Sequence, residues 1–265
     1  MKTQHLEFPA RHLRLQYVDH GSGPRTLLFL HGWCINLSYW QAQIDHFRTD
    51  YRVVAVDLPG FGASRVERST WSIEAMATDL KQLIEALDLT QVVIVGHSMS
   101  GELGLETALQ AGDRVVGLVG VDNFKFVGME VPADLQEIYS GIVSRFTTDF
   151  PNAAQELADR FFFHPATPVA VRERIHQAYR SADPAVAVPI FYALLHYSTS
   201  VPEKLAQLPF PLHLIGSDTP PPYLPVLEQQ LRHGVYVSLM PETGHYPMIE
   251  QPVAFNAALQ QIMTQ

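Results

Sequence analysis

Val92-Val93-Ile94-Val95-Gly96-His97-Ser98-Met99-Ser100-Gly101 runs from four aliphatic residues, through a serine flanked by small residues, into a helix-compatible stretch. A buried strand that turns at once into a helix leaves no room for large side chains beside the turn. The serine at the apex is lifted above the sheet, and the N–H groups that follow point into the same space. A serine held this way is suited to attack a carbonyl carbon. Ser98 is therefore the candidate nucleophile. The Met99 N–H is a candidate donor to the oxyanion that such an attack creates.

The surrounding sequence supports a strand–helix alternation. Residues 5–20 alternate loosely and predict an opening antiparallel hairpin. Short apolar runs at 26–30, 53–56, 92–95, 115–121, 212–215 and 235–239 predict strands covered on both faces. Ile73, Met76, Ala77, Leu80, Leu83, Ile84 and Leu87 recur at helical spacing behind Ser72, a suitable N-cap. Phe255, Ala258, Leu259, Ile262 and Met263 mark a last helix, with Pro252 near its start. The expected architecture is a mainly parallel α/β sheet. The alternation breaks once, over about 90 residues between Asp122 and Leu212. Helical stretches at 135–146, 153–163, 169–179 and 185–196, punctuated by prolines, read there as a helical insertion.

Bulk properties narrow the function. The 265 residues carry a formal net charge of −9, and no basic stripe is available to neutralise nucleic-acid phosphates. Hydrophobic content of 47% excludes a disordered chain. Cys34 is the only cysteine, so no intrachain disulfide can form, and it reads as a small buried hydrophobe. Residues 1–20 lack a signal-peptide core, and no run reaches the ~20 apolar residues of a membrane span. The expectation is a cytoplasmic protein that meets neither membrane nor nucleic acid. No His, Cys, Asp or Glu cluster has metal-ligand spacing, so no metal and no cofactor are expected.

In a parallel sheet, chemistry gathers beyond the carboxyl ends of the strands. His31-Gly32-Trp33 follows the run at 26–30, and its turn can aim the Trp33 N–H at Ser98. With Met99 it would form an oxyanion hole. Asp57 through Ser64 is a rigid Gly/Pro loop without the lysine of a phosphate loop, and Asp57 is expected to bond its backbone. Gly244-His245-Tyr246-Pro247 follows the last strand. A serine hydroxyl needs a base, and imidazole titrates near neutrality, so His245 is the candidate base. His97 is expected to pack behind the turn.

These motifs, in this order, resemble the α/β-hydrolase fold superfamily: His31-Gly32, Asp57 to Ser64, Gly96 to Gly101, and Gly244-His245 with Pro247. The second glycine of the usual nucleophile motif is replaced by Ser100. The resemblance implies an eight-stranded, mostly parallel sheet flanked by helices, with a helical cap inserted after the sixth strand. Residues 1–122 and 209–265 would form the core and residues 123–208 the cap. It also implies the chain order nucleophile, acid, base. Most relatives carry the acid after the seventh strand in Gly-x-x-Asp, but here Gly216-Ser217-Asp218 is one residue short. Some, including haloalkane dehalogenases and cofactor-free ring-cleaving dioxygenases, carry it after the sixth, about two dozen residues beyond the nucleophile. Asp122 lies 122 − 98 = 24 beyond Ser98. Asp122 is favoured as the acid and Asp218 kept as the alternative.

The expected function is cleavage of a small or medium carboxylic ester by Ser98, His245 and Asp122 through an acyl-enzyme. A serine nucleophile argues against dehalogenase and epoxide hydrolase chemistry, which use aspartate in this superfamily. Two alternatives stay open: a cofactor-independent dioxygenase, which Gly32-Trp33-Cys34 and the acid position resemble, and a slow-turnover ligand receptor. The expected partner is a small-molecule ester, and a homodimer is left open.

Overall fold

The computed structural model describes residues 2–264, so Met1 and Gln265 at the ends of the expected core lie outside the described residues. The strands are β1 (Gln4–Phe8), β2 (Leu13–His20), β3 (Thr26–Leu30), β4 (Arg52–Val56), β5 (Arg65–Val66), β6 (Val92–His97), β7 (Val115–Val121), β8 (Leu212–Ser217) and β9 (Val235–Met240). They form one sheet in the order β1-β2-β4-β3-β6-β7-β8-β9, with β5 pairing β2 beside this path. The main path thus has the expected eight strands. The ninth, β5, is a two-residue pairing of Arg65 with Arg14 and Val66 with Leu13, too short to leave an apolar pattern.

From β4 to β9 along the path every pairing is parallel, whereas β2 is antiparallel to both β1 and β4. Apolar runs on both faces require cover on both sides. Every residue of β3 and β6 is buried accordingly. The covering helices include α1 (Gln41–Phe47), α2 (Ile73–Ala86) and α3 (Met99–Ala111). Ser72 Oγ accepts the Ala75 N–H at 3.1 Å and so starts α2 where its apolar stripe begins.

Five α-helices separate β7 from β8: α4 (Ala133–Val143), α5 (Phe150–Phe161), α6 (Val169–Ser181), α7 (Pro184–Ser198) and α8 (Val201–Leu205). Asp183 caps α7 through the Ala185 N–H at 2.9 Å, with Pro184 in the first turn. α7 and α8 are tied to α3 by Glu106, which accepts from Tyr197 Oη at 2.9 Å and Lys204 Nζ at 2.5 Å. The chain closes with α9 (Leu224–Gln230), α10 (Pro247–Glu250) and α11 (Pro252–Met263). Among the described residues no helix is long and apolar enough to cross a membrane.

Trp33, just beyond β3, is where the helices between β7 and β8 meet the sheet. Its indole lies 5.0–5.5 Å from the rings of Phe146, Phe150, Tyr179 and Phe191, and its Nε1–H donates to the Ala187 carbonyl at 2.8 Å. All four partners are buried. Part of the apolar surface between β7 and β8 is thus spent on docking, as a helical apolar stripe usually is, while Phe126, Leu135, Phe161 and Tyr192 stay exposed.

Candidate active site

Ser98 sits between β6 and α3 with φ 54° and ψ −125°, a region that costs a non-glycine residue about 1–3 kcal/mol. Neighbours hold it there. Its N–H donates to the Val121 carbonyl at 2.9 Å, and its carbonyl accepts from Gly101 N–H at 2.8 Å and from the Asn123 side chain. Gly96 must be glycine, because a Cβ would lie 1.9 Å from the Ser100 carbonyl oxygen. Ser100 has a use of its own: its buried hydroxyl donates to the His31 carbonyl at 2.5 Å and ties the elbow to the turn after β3.

That turn lies directly against Ser98. A Cβ on Gly32 would stand 2.5 Å from His97 Nδ1 and 3.3 Å from Ser98 Cβ. The His31 ring is committed elsewhere, since its Nε2 accepts the Leu58 N–H at 2.9 Å and its Nδ1–H donates to the Gly32 carbonyl at 2.7 Å. Burial pushes its pKa down, against the pull of Asp57 and of the Gly32 bond, so it is neutral. Asp57 bonds loop backbone, accepting from the Leu37 N–H at 2.9 Å and the Ala63 N–H at 2.8 Å. Cys34 is buried, and burial raises its thiol pKa well above the ordinary value, which leaves it unreactive.

The structure brings Ser98, His245 and Asp122 into one hydrogen-bonded line. His245 Nε2 is 2.8 Å from Ser98 Oγ, and His245 Nδ1 is 2.6 Å from Asp122 Oδ2. Asp218 is not part of it, being half-buried with Oδ1 accepting from the Thr219 hydroxyl at 3.0 Å. Asp122 leaves the end of β7 with φ 48°, held by its N–H on the Ile215 carbonyl at 2.8 Å. Its Oδ1 accepts from Ser217 N–H at 2.8 Å and lies 2.7 Å from Lys125 Nζ. Burial works to raise the Asp122 pKa. The His245 hydrogen bond and the charges of His245 and Lys125 outweigh it and hold the carboxyl well below the usual range.

His245 is fixed through its backbone as well. Its N–H donates to the Phe162 carbonyl at 2.7 Å, and its carbonyl accepts from His97 Nε2–H at 2.7 Å. The Phe162 ring stacks on the imidazole at 4.4 Å with an interplanar angle of 21°. Glu250 holds the loop, accepting from Gly244 N–H at 2.9 Å and Tyr246 N–H at 3.0 Å. His97 is buried behind the elbow as expected, and its pKa is driven down to about 3 by burial and by the charge of His245. Lys125 and Glu250 were not foreseen as parts of the site, and Phe162 was expected only as one of several aromatic candidates for a pocket wall, not as a ring stacked on His245. Lys125 stands three residues after Asp122, and that spacing is the one signal that could have singled it out.

The α/β hydrolase family matches residues 27–258. The chain belongs to it. Over nearly its full length the chain is similar to 3-oxoadipate enol-lactonase 2 of Acinetobacter baylyi, at 26% identity over 268 residues, covering 96% of this chain and 94% of that one. It is also similar to the pimeloyl-[acyl-carrier protein] methyl ester esterase of Yersinia enterocolitica, at 29% over 249 residues, covering 89% and 92%. Three other curated relatives, two epoxide hydrolases and an acetyltransferase component, are matched over about a third of their length, 30–31%. Among solved structures, a thermophilic esterase of Thermogutta terrifontis superposes with a TM-score of 0.81, covering 100% of this chain and 98% of that one. At 23% identity it speaks for the fold alone.

Proposed function

We propose that this α/β hydrolase cleaves small or medium carboxylic esters by nucleophilic catalysis at Ser98. The observation that carries the reading is the line Ser98 Oγ, His245, Asp122, with contacts of 2.8 and 2.6 Å. His245 takes the proton of Ser98 as the hydroxyl attacks the carbonyl carbon. Asp122 keeps the Nδ1–H tautomer and stabilises the imidazolium that forms. The N–H groups of Trp33 and Met99 receive the oxyanion, each worth roughly 3 kcal/mol. Contact between the Gly32 turn and Ser98 supports that assignment. His245 then protonates the leaving alcohol, and water cleaves the acyl-enzyme.

Residues 123–208 act in this reading as a cap that shapes the acyl and alcohol sites, and the setting is cytoplasmic. Two relatives named for ester substrates, the enol-lactonase and the methyl ester esterase, support the substrate class. The test is hydrolysis of p-nitrophenyl esters from acetate to octanoate by the wild type beside Ser98→Ala. Turnover in the wild type that the variant lacks is expected. A stoichiometric, slowly released acylation without turnover would favour a receptor. Oxygen consumption with a heteroaromatic substrate would favour a dioxygenase.

A further inference from the structure

Lys125 is a cation shut away from water, 7% exposed, on the turn that leaves β7. Its Nζ lies 2.7 Å from Asp122 Oδ1 and donates to Ser217 Oγ at 2.5 Å. Its carbonyl accepts the Tyr223 N–H at 2.8 Å, which pins its backbone to the segment after β8. Burying an ammonium is costly unless it is paired, and packing alone would be served by an apolar residue between Phe124 and Phe126. Among the described residues, Lys125 and His245 are the only basic groups within salt-bridge distance of Asp122.

The two carboxylate oxygens are divided. Oδ1 faces Lys125 and the Ser217 N–H, and Oδ2 is left for His245 Nδ1–H. We propose that Lys125 is a positioning residue that acts on His245 through Asp122. It fixes the carboxylate so that Oδ2 alone meets the imidazole, and it offsets negative charge that would otherwise favour a protonated His245 in the resting enzyme. The proposal rests on the reading of Ser98, His245 and Asp122 given above.

The direction of the effect follows from charge. Without Lys125 the imidazole faces an uncompensated carboxylate, its charged form gains, and the base is blocked at a pH where the wild type still works. The other ionisable groups nearby do not supply this cation. His97, at the end of β6 with its ring 4.9 Å from that of His245, is held neutral. His31 behind it is also pushed toward the neutral form. Glu250 in α10 has its oxygens on the Gly244 and Tyr246 N–H groups and the Thr167 hydroxyl. Asp218 turns to Thr219.

The experiment is kcat and KM for p-nitrophenyl butyrate, from about pH 5 to about pH 9. It compares the wild type with Ser98→Ala, Lys125→Met, Lys125→Gln and Lys125→Arg. In the Met and Gln variants the acidic limb of kcat/KM is expected to move up by about one pH unit, with kcat reduced and KM within about twofold. Lys125→Arg keeps the charge and should keep the limb in place. Where Lys125→Met is too unstable to assay, Lys125→Gln retains a donor for Ser217 without the charge and carries the same expectation. An unmoved limb in the charge-removing variants overturns the proposal even if kcat falls, because a structural brace would lower activity without moving the profile. A wild type without Ser98-dependent turnover removes the hydrolase reading and this proposal with it, a result distinct from an active wild type with an unmoved limb.

Discussion

Phe162 and His245 are joined twice, by the stacking of their rings at 4.4 Å and by the His245 N–H on the Phe162 carbonyl at 2.7 Å. Phe162 follows α5, so the segment between β7 and β8 reaches the proposed base directly. The backbone bond survives any substitution of Phe162, whereas the stack does not. Phe162→Ala should therefore lower kcat roughly tenfold to a hundredfold through loss of imidazole orientation, with a smaller change in KM. Steady-state kinetics on a p-nitrophenyl ester measure this, with Phe162→Leu falling between the two. A kcat within twofold of wild type would mean that the stack plays no part in orienting His245.

The choice between the two candidate acids is decided by paired substitutions. Asp122→Asn keeps the shape but turns an amide toward His245 Nδ1, which disfavours the needed tautomer. Turnover should fall by a factor on the order of 10⁴. Asp218→Asn touches only a turn bonded to Thr219 and should leave turnover within about twofold. The reverse pattern would overturn the assignment of Asp122. Ser98→Ala should remove turnover while leaving the thermal midpoint within a few degrees, about the reach of a 1 kcal/mol change.

Gly32 offers a test of the proposed oxyanion donors. A Cβ there would stand 2.5 Å from His97 Nδ1, a buried atom on a ring whose other nitrogen already holds the His245 carbonyl. His97 cannot withdraw without disturbing His245, so in Gly32→Ala the turn carrying Trp33 N–H must move instead. Loss of one donor costs roughly 10²–10³ in kcat. Trp33→Phe, which keeps the N–H and most of the ring but loses the bond to Ala187, should retain far more activity. Equal losses in the two variants would assign the effect to packing.

The parts of this protein that could be read from its residues are those set by local pattern and turn chemistry. Short apolar runs predict β3, β4, β6 and β7, and the small residues around Ser98 predict the elbow that the structure contains. His245 could be picked from twelve histidines because it follows a glycine after the last strand. What escaped depends on long-range contact. β5 is two residues that exist as a strand only beside β2. α8 and α10 are five and four residues long, too short for a periodic stripe. Lys125 looks like a surface cation until folding sets it against Asp122 and Ser217. Phe162 is one of many aromatics between β7 and β8, and only the packed chain lays it on His245.

His97 makes folding stability depend on pH in a direction that can be worked out. Its folded pKa is about 3 and its ordinary value 6.5, lowered first by burial and then by the charge of His245, with the bond to the His245 carbonyl opposing. Between these values the unfolded chain binds a proton at this site and the folded chain does not. The contribution is therefore fully present above pH 6.5 and is lost as pH falls toward 3, at about 1.4 kcal/mol per unit. His31, also lowered by burial, acts in the same direction, so one substitution removes part of the slope. His97→Gln keeps an N–H donor for the His245 carbonyl and does not titrate. Urea unfolding at about pH 7.5, 6 and 5 should show the wild type losing about 2 kcal/mol more than His97→Gln between about pH 7.5 and about pH 5. Parallel losses in the two proteins would mean that His97 takes up its proton in the folded state as readily as in the unfolded chain.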